Sequence, residues 1–114
     1  MAIARKAFVW GLFAAGGTLA AMLFPVLILL FVLVSAGFIP QGLEYSQMKA
    51  ALGQWPLALG LFAVLVFGAW HAAHRARIFL HDLGIRSDGW VALFAYALAG
   101  LFTAFIAVAL YMLQ

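Results

Sequence analysis

Three long apolar blocks, separated by short polar segments, organise this chain. No charged side chain occurs from Ala7 to Leu43, and the apolar density there is highest from Phe8 to Phe38. A second uncharged block runs from Ala50 to Ala73, interrupted only by His71, and a third from Gly89 to Gln114. A helix that crosses a bilayer needs about 20 mainly apolar residues. The pattern therefore predicts an all-α integral membrane protein with three transmembrane helices near 8–36, 55–76 and 89–112. Residues 1–114 form a single unit on this reading. The first block is about twice the length of a secretory h-region, so it reads as a span and not as a signal peptide.

Local residues refine these boundaries. Pro25 lies inside the first span, where membrane helices tolerate proline. Gly37, Pro40 and Gly42 end that span, and Tyr45 to Gln54 reads as a short interfacial segment mixing Lys49 with Met48 and Leu52. Pro56 suits the first turn of span two. Arg86-Ser87-Asp88-Gly89 reads as a turn, with Ser87 or Asp88 available to cap span three. Small residues let helix backbones approach each other in lipid. Span three offers Ala95, Ala99, Thr103 and Ala107 at a spacing of four, and span one offers Gly11, Ala15, Gly16, Gly17 and Ala20.

Composition excludes several classes. Of the 114 residues 69% are hydrophobic and 8% are charged, against about 25% charged in soluble domains. A soluble enzyme is excluded. The net charge is +3, yet the basic residues are scattered beside apolar blocks, so no nucleic acid partner is expected. Absence of cysteine excludes a disulfide framework, a Cys-ligated zinc and a Cys-held iron–sulfur cluster within the chain. Five of the six basic residues (Arg5, Lys6, Arg75, Arg77 and Arg86) fall on one side of the expected topology, and Lys49 on the other. Basic loops stay in the cytoplasm. The amino terminus and the 77–88 loop are thus expected inside, with 44–53 and Gln114 outside. Trp10, Trp55, Trp90 and Tyr111 each lie near a span end, as an aromatic belt requires.

Candidate chemistry is confined to His71-Ala-Ala-His74-Arg75-Ala-Arg77-Ile-Phe-Leu-His81-Asp82. On a continuous helix His71, His74, Arg75, Ile78 and His81 share one side. From Pro56 the span reaches His74 after about 27 Å, at the inner boundary of the hydrocarbon, and Trp10 opens span one at the same depth. Arg77 and Arg86 read as residues that snorkel to lipid headgroups. Trp10, His74 and Arg75 are hydrogen-bond donors suited to a quinone headgroup, and His71 and His81 are candidate proton-relay groups. Two histidines at i and i+3 cannot clasp one haem iron from both faces, so no haem is expected, and no metal site is assigned. Alternatives are a small transporter, which normally keeps an ionisable residue inside the membrane, and a ligand-free assembly protein.

These residues carry a resemblance. The chain resembles the D-subunit family of bacterial fumarate reductases in Val9-Trp10-Gly11-Leu12-Phe13, Ala15-Gly16-Gly17, Pro25-Val26, Ile28-Leu29-Leu30, Leu43, Tyr45, His74-Arg75 and His81-Asp82-Leu83, in order and at matching spacing. The resemblance implies a membrane anchor, not catalytic alone, of quinol:fumarate reductase in the bacterial inner membrane. It implies three partners: a companion membrane anchor (the C subunit), an iron–sulfur protein (the B subunit) and a flavoprotein (the A subunit), the last two docked on the cytoplasmic face. FAD and iron–sulfur clusters would belong to those partners, and menaquinol would be oxidised near that face in anaerobic fumarate respiration. The family's quinol-pocket Trp maps to Trp10 and its His-Arg pair to His74 and Arg75. Related succinate dehydrogenase anchors share the architecture for the reverse reaction. Two departures stand out: a short tail ahead of Phe8, and His71 where the family pattern calls for a small or apolar residue.

Overall fold

The computed structural model describes residues 2–114, with side chains from Ile3 onward. Four helices follow one another: α1 (Ala2–Ser35), α2 (Tyr45–Leu52), α3 (Trp55–Asp82) and α4 (Asp88–Tyr111). Among the described residues there is no strand. Helices α1, α3 and α4 are each long and apolar enough to cross a membrane, which makes this an all-α, multi-pass membrane protein. The short α2 occupies the segment read as interfacial.

Both turns that close a spanning helix use the same device. At the end of α1 the Phe38 N–H donates to the Leu33 carbonyl at 2.9 Å and Gly37 N–H to Val34 at 3.0 Å. At the end of α3 Ile85 N–H donates to Leu80 at 3.1 Å and Gly84 N–H to His81 at 3.0 Å. These are paired 6→1 and 5→2 bonds of a Schellman cap, which needs a left-handed residue at the turn. Gly37 (φ +88°) and Gly84 (φ +90°) supply it.

Helix ends differ from the hydropathy boundaries in instructive ways. Helix α3 continues to Asp82, beyond the expected limit of 76. Apolar density marks where the chain meets hydrocarbon, whereas helical hydrogen bonding needs no apolar side chain and stops only at Gly84. Helix α1 likewise starts ahead of Phe8 and runs through Pro25 without interruption. Pro56 sits in the first turn of α3 as expected. The expected side-chain cap of α4 is absent: Ser87 occupies the cap position, but its hydroxyl makes no capping bond. The Asp88 carboxylate is turned instead toward Arg77.

Helix α3 is central, with α1 and α4 both packed on it and α2 against its start. The buried apolar residues are Ala20, Ala58 and Ala99; Gly16 and Gly68 are buried as well. Large side chains such as Ile28, Phe31, Phe94, Leu101 and Phe105 point outward. This inverts the soluble pattern, because lipid tails solvate leucine as well as another helix does, and contact between helices is left to small residues. Of the expected small stripe on α4, Ala99 is buried, Ala95 and Thr103 are half-buried and Ala107 is exposed.

Candidate binding site

Trp70, His74, Arg77 and His81 fall within an arc of about 60° on α3 at 3.6 residues per turn. The expected stripe of His71, His74, Arg75, Ile78 and His81 is therefore displaced around the helix: Trp70 and Arg77 belong to it, and Arg75 does not. Three rungs tie this arc to α4. Trp70 Nε1 donates to Thr103 Oγ1 at 3.0 Å, and His74 Nδ1 lies 2.8 Å from Tyr96 Oη. Arg77 Nε donates to Asp88 Oδ1 at 2.8 Å and Nη2 to Oδ2 at 2.5 Å, the two-pronged geometry that suits guanidinium and carboxylate. Arg77 is thus ion-paired, which corrects the expectation that it only snorkels. The tight turn at Gly84 brings Asp88 back against it. The Tyr96 ring lies against Trp70, with centroids 5.9 Å apart and planes 19° apart.

From the other side α1 contributes aromatic edges. Trp10 meets His74 edge to face at 6.4 Å, and Phe13 meets it at 4.8 Å. Val9, Trp10, Phe13 and His74 line an open cleft of about 200 Å³. A more polar cleft of about 300 Å³ is lined by His74, Arg77, Ile78, His81 and Asp88. His74 is common to both. A further cavity, about 710 Å³, is an apolar groove between Ala69, Ala73 and Ala76 of α3 and Trp90, Phe94 and Phe102 of α4. None of Trp10, His74 and Arg75 lines it.

Of the three expected binding residues, then, Trp10 and His74 converge and Arg75 lies off both clefts. Arg75 is exposed, and among the described residues neither it nor the Trp10 indole N–H makes a hydrogen bond. Of the two candidate relay residues, His81 shares the polar cleft with His74. His71 belongs to the α1–α3 contact: its ring stacks on Phe13 at 4.4 Å, and its buried Nδ1 has no partner. Among the described residues no three His, Asp or Glu side chains converge as metal ligands.

Tyr96 escapes a reading of the sequence, where it passes for one more apolar residue of span three. Its signal is a seven-residue spacing from Thr103, which puts two hydroxyls on one helix face. That face is the one α3 meets.

Comparison with known proteins bears on the whole of this arrangement. A family model described as the D subunit of fumarate reductase matches residues 2–111. The chain is 36% identical over 106 residues to the fumarate reductase D subunit of Vibrio parahaemolyticus, covering 91% of this chain and 85% of the relative. It is 37% identical over 101 residues to the corresponding protein of Actinobacillus pleuropneumoniae serotype 5b, covering 86% and 82%. To that of Haemophilus ducreyi it is 38% identical over 86 residues, covering 73% and 72%.

Proposed function

This chain belongs to the fumarate reductase D-subunit family, and from that premise we propose that it is a membrane anchor contributing Trp10, His74 and Arg75 to a menaquinol site. The site lies at the cytoplasmic boundary of the bacterial inner membrane, where the amino terminus and the turn before α4 emerge. A flavoprotein and an iron–sulfur protein dock there, and a second anchor closes the site. Bound menaquinol supplies electrons to redox groups held by those partners and protons to the medium. On this reading the chain holds no haem.

The observation that carries the proposal is the convergence of Trp10 and His74, from helices far apart in sequence, on one open cleft. A quinone has a polar headgroup on an apolar tail and so rests at this boundary. Its oxygens need hydrogen-bond partners, and unsatisfied polar groups away from water are costly. The Trp10 indole N–H is an unengaged donor, and its ring meets the His74 ring edge to face, with Phe13 providing an aromatic wall. Arg75, next along the chain and without a hydrogen-bond partner among the described residues, supplies a charged donor, and its planar fork suits an oxygen that gains negative character.

The test uses the assembled, membrane-bound complex and two assays. Losing a charged donor costs about 1.5–3 kcal/mol, or roughly ten- to a hundredfold. Arg75→Leu should lower quinol-driven fumarate reduction by that factor and leave reduction driven by an artificial dye nearly untouched. His74→Ala and Trp10→Phe should act in the same direction. Arg86→Leu, in the exposed turn, is the control, since Arg77 is engaged with Asp88. Full quinol activity in both Arg75→Leu and His74→Ala would overturn the assignment.

A further inference from the structure

Resting on that reading of His74, we infer that Tyr96 is a positioning residue that fixes His74 as its Nε2–H tautomer, so that the imidazole meets the ligand as a hydrogen-bond donor. A neutral imidazole has one donor and one acceptor nitrogen, and the partner of one nitrogen decides the role of the other. The partner of Nδ1 is Tyr96 Oη, 2.8 Å away.

Tyr96 is held from two directions. Its ring stacks on Trp70, whose Nε1 is anchored on Thr103, and the Thr103 hydroxyl donates to the Ala99 carbonyl at 2.8 Å. The hydroxyl is therefore set at the height of His74 by a chain of contacts that ends on helix backbone. Its hydrogen points to Nδ1, because a phenol O–H is a stronger hydrogen-bond donor than an imidazole N–H and a bare imidazole nitrogen is a stronger acceptor than a phenol oxygen. With Nδ1 accepting, the ring hydrogen resides on Nε2.

The cleft then presents two donors, His74 Nε2–H and the Trp10 indole N–H. A site of this kind holds its ligand through oxygen acceptors, which a quinone carbonyl and a quinol hydroxyl both present. The donor role of His74 is set at Tyr96, which lines neither cleft.

The experiment is nitrogen NMR of the intact complex carrying ¹⁵N-histidine, with the His74 signals identified as those lost in His74→Gln. Protonated and bare ring nitrogens resonate apart, so the tautomer is read directly. The wild-type complex should show Nε2–H, and Tyr96→Phe, which keeps the ring stacked on Trp70, should lose that preference. The same variant should raise the quinol KM about two- to tenfold, as for loss of one hydrogen bond, with dye-driven activity unchanged. Arg86→Leu, in the exposed turn and outside this chain of contacts, should keep the Nε2–H spectrum. An Nδ1–H signal in the wild type, or an unchanged spectrum in Tyr96→Phe, would overturn the role of Tyr96. A spectrum that shifts as expected while His74→Gln leaves quinol kinetics intact would overturn the quinol site itself and, with it, the ligand-facing purpose of the tautomer.

Discussion

The two faces of α3 are held by different physics. Toward α1 the contact is one of shape. Gly16 receives Phe67, Gly17 receives the His71 ring and Gly68 receives Phe24, each so closely that an added Cβ would come within 3 Å of the partner side chain. Among the described residues no side-chain hydrogen bond crosses this face. Toward α4 the contact is polar: Trp70–Thr103, His74–Tyr96 and Arg77–Asp88. Lipid offers no hydrophobic reward for burying leucine, so helices associate through close backbone approach or through polar groups that lipid cannot satisfy. This chain uses one means on each side of a single helix. On the shape-packed side the Trp10 indole N–H is left unengaged among the described residues, beside the cleft it shares with His74.

The sharpest way to break the contrast is to fill a glycine. At Gly16 an added Cβ would lie 2.9 Å from Phe67 Cβ, an atom fixed to the helix backbone that cannot rotate aside. Gly16→Val should therefore force α1 away from α3. Overpacking costs about 1–3 kcal/mol, which thermal inactivation of the solubilised complex would register as a clear fall in midpoint. Gly11→Ala is the counterpart, since nothing lies within 4 Å of its Cβ; it should leave the midpoint unchanged or raise it slightly. If the two variants behave alike, shape does not hold this face.

The opposite face should respond less to a single loss. Thr103→Val removes the acceptor of Trp70 Nε1, and hydrogen bonds between membrane helices average about 0.6 kcal/mol. The same assay should show a smaller fall than for Gly16→Val. A larger fall would mean that the polar rungs, and not the glycines, govern assembly.

This division explains which parts can be read from the chain alone. The spans are legible because charge is expensive in hydrocarbon, so uncharged blocks mark them directly. Trp10 and His74 are legible as a pair because alternate crossings bring both to one depth. The rotation of α3 about its axis is not legible. Helix α4 is apolar on nearly every side, so nothing in its pattern says which face meets α3, or whether the stripe containing Arg75 or the one containing Trp70 and Arg77 is engaged. Asp88 reads as a cap for the same reason: whether its carboxylate turns back to its own helix or across to Arg77 depends on the turn at Gly84. The packing stripes fall between these limits, with Gly16 and Ala99 at contacts and Gly11 and Ala107 outside them.

The smallest effect is expected at the outermost rung. The Arg77 and Asp88 side chains retain 33% and 42% of their exposure, so water and salt screen the pair. Asp88→Asn removes the charge but keeps the shape. Arg77 then extends its long stem and places its guanidinium among lipid headgroups, the behaviour its sequence context suggests. The acidic residue is also lost from the first turn of α4, where the helix N-terminus favours negative charge. Both losses are modest at an exposed position, so the midpoint should fall less than in Thr103→Val, and the difference from wild type should shrink as salt is raised. Arg77→Leu should fall somewhat further, because it leaves an aspartate with no stem long enough to reach the headgroups. A fall in Asp88→Asn that exceeds that of Gly16→Val and ignores salt would reverse the ranking of the two faces. The outer rung would then be shielded by a neighbouring protein of the complex and would govern how α4 is held.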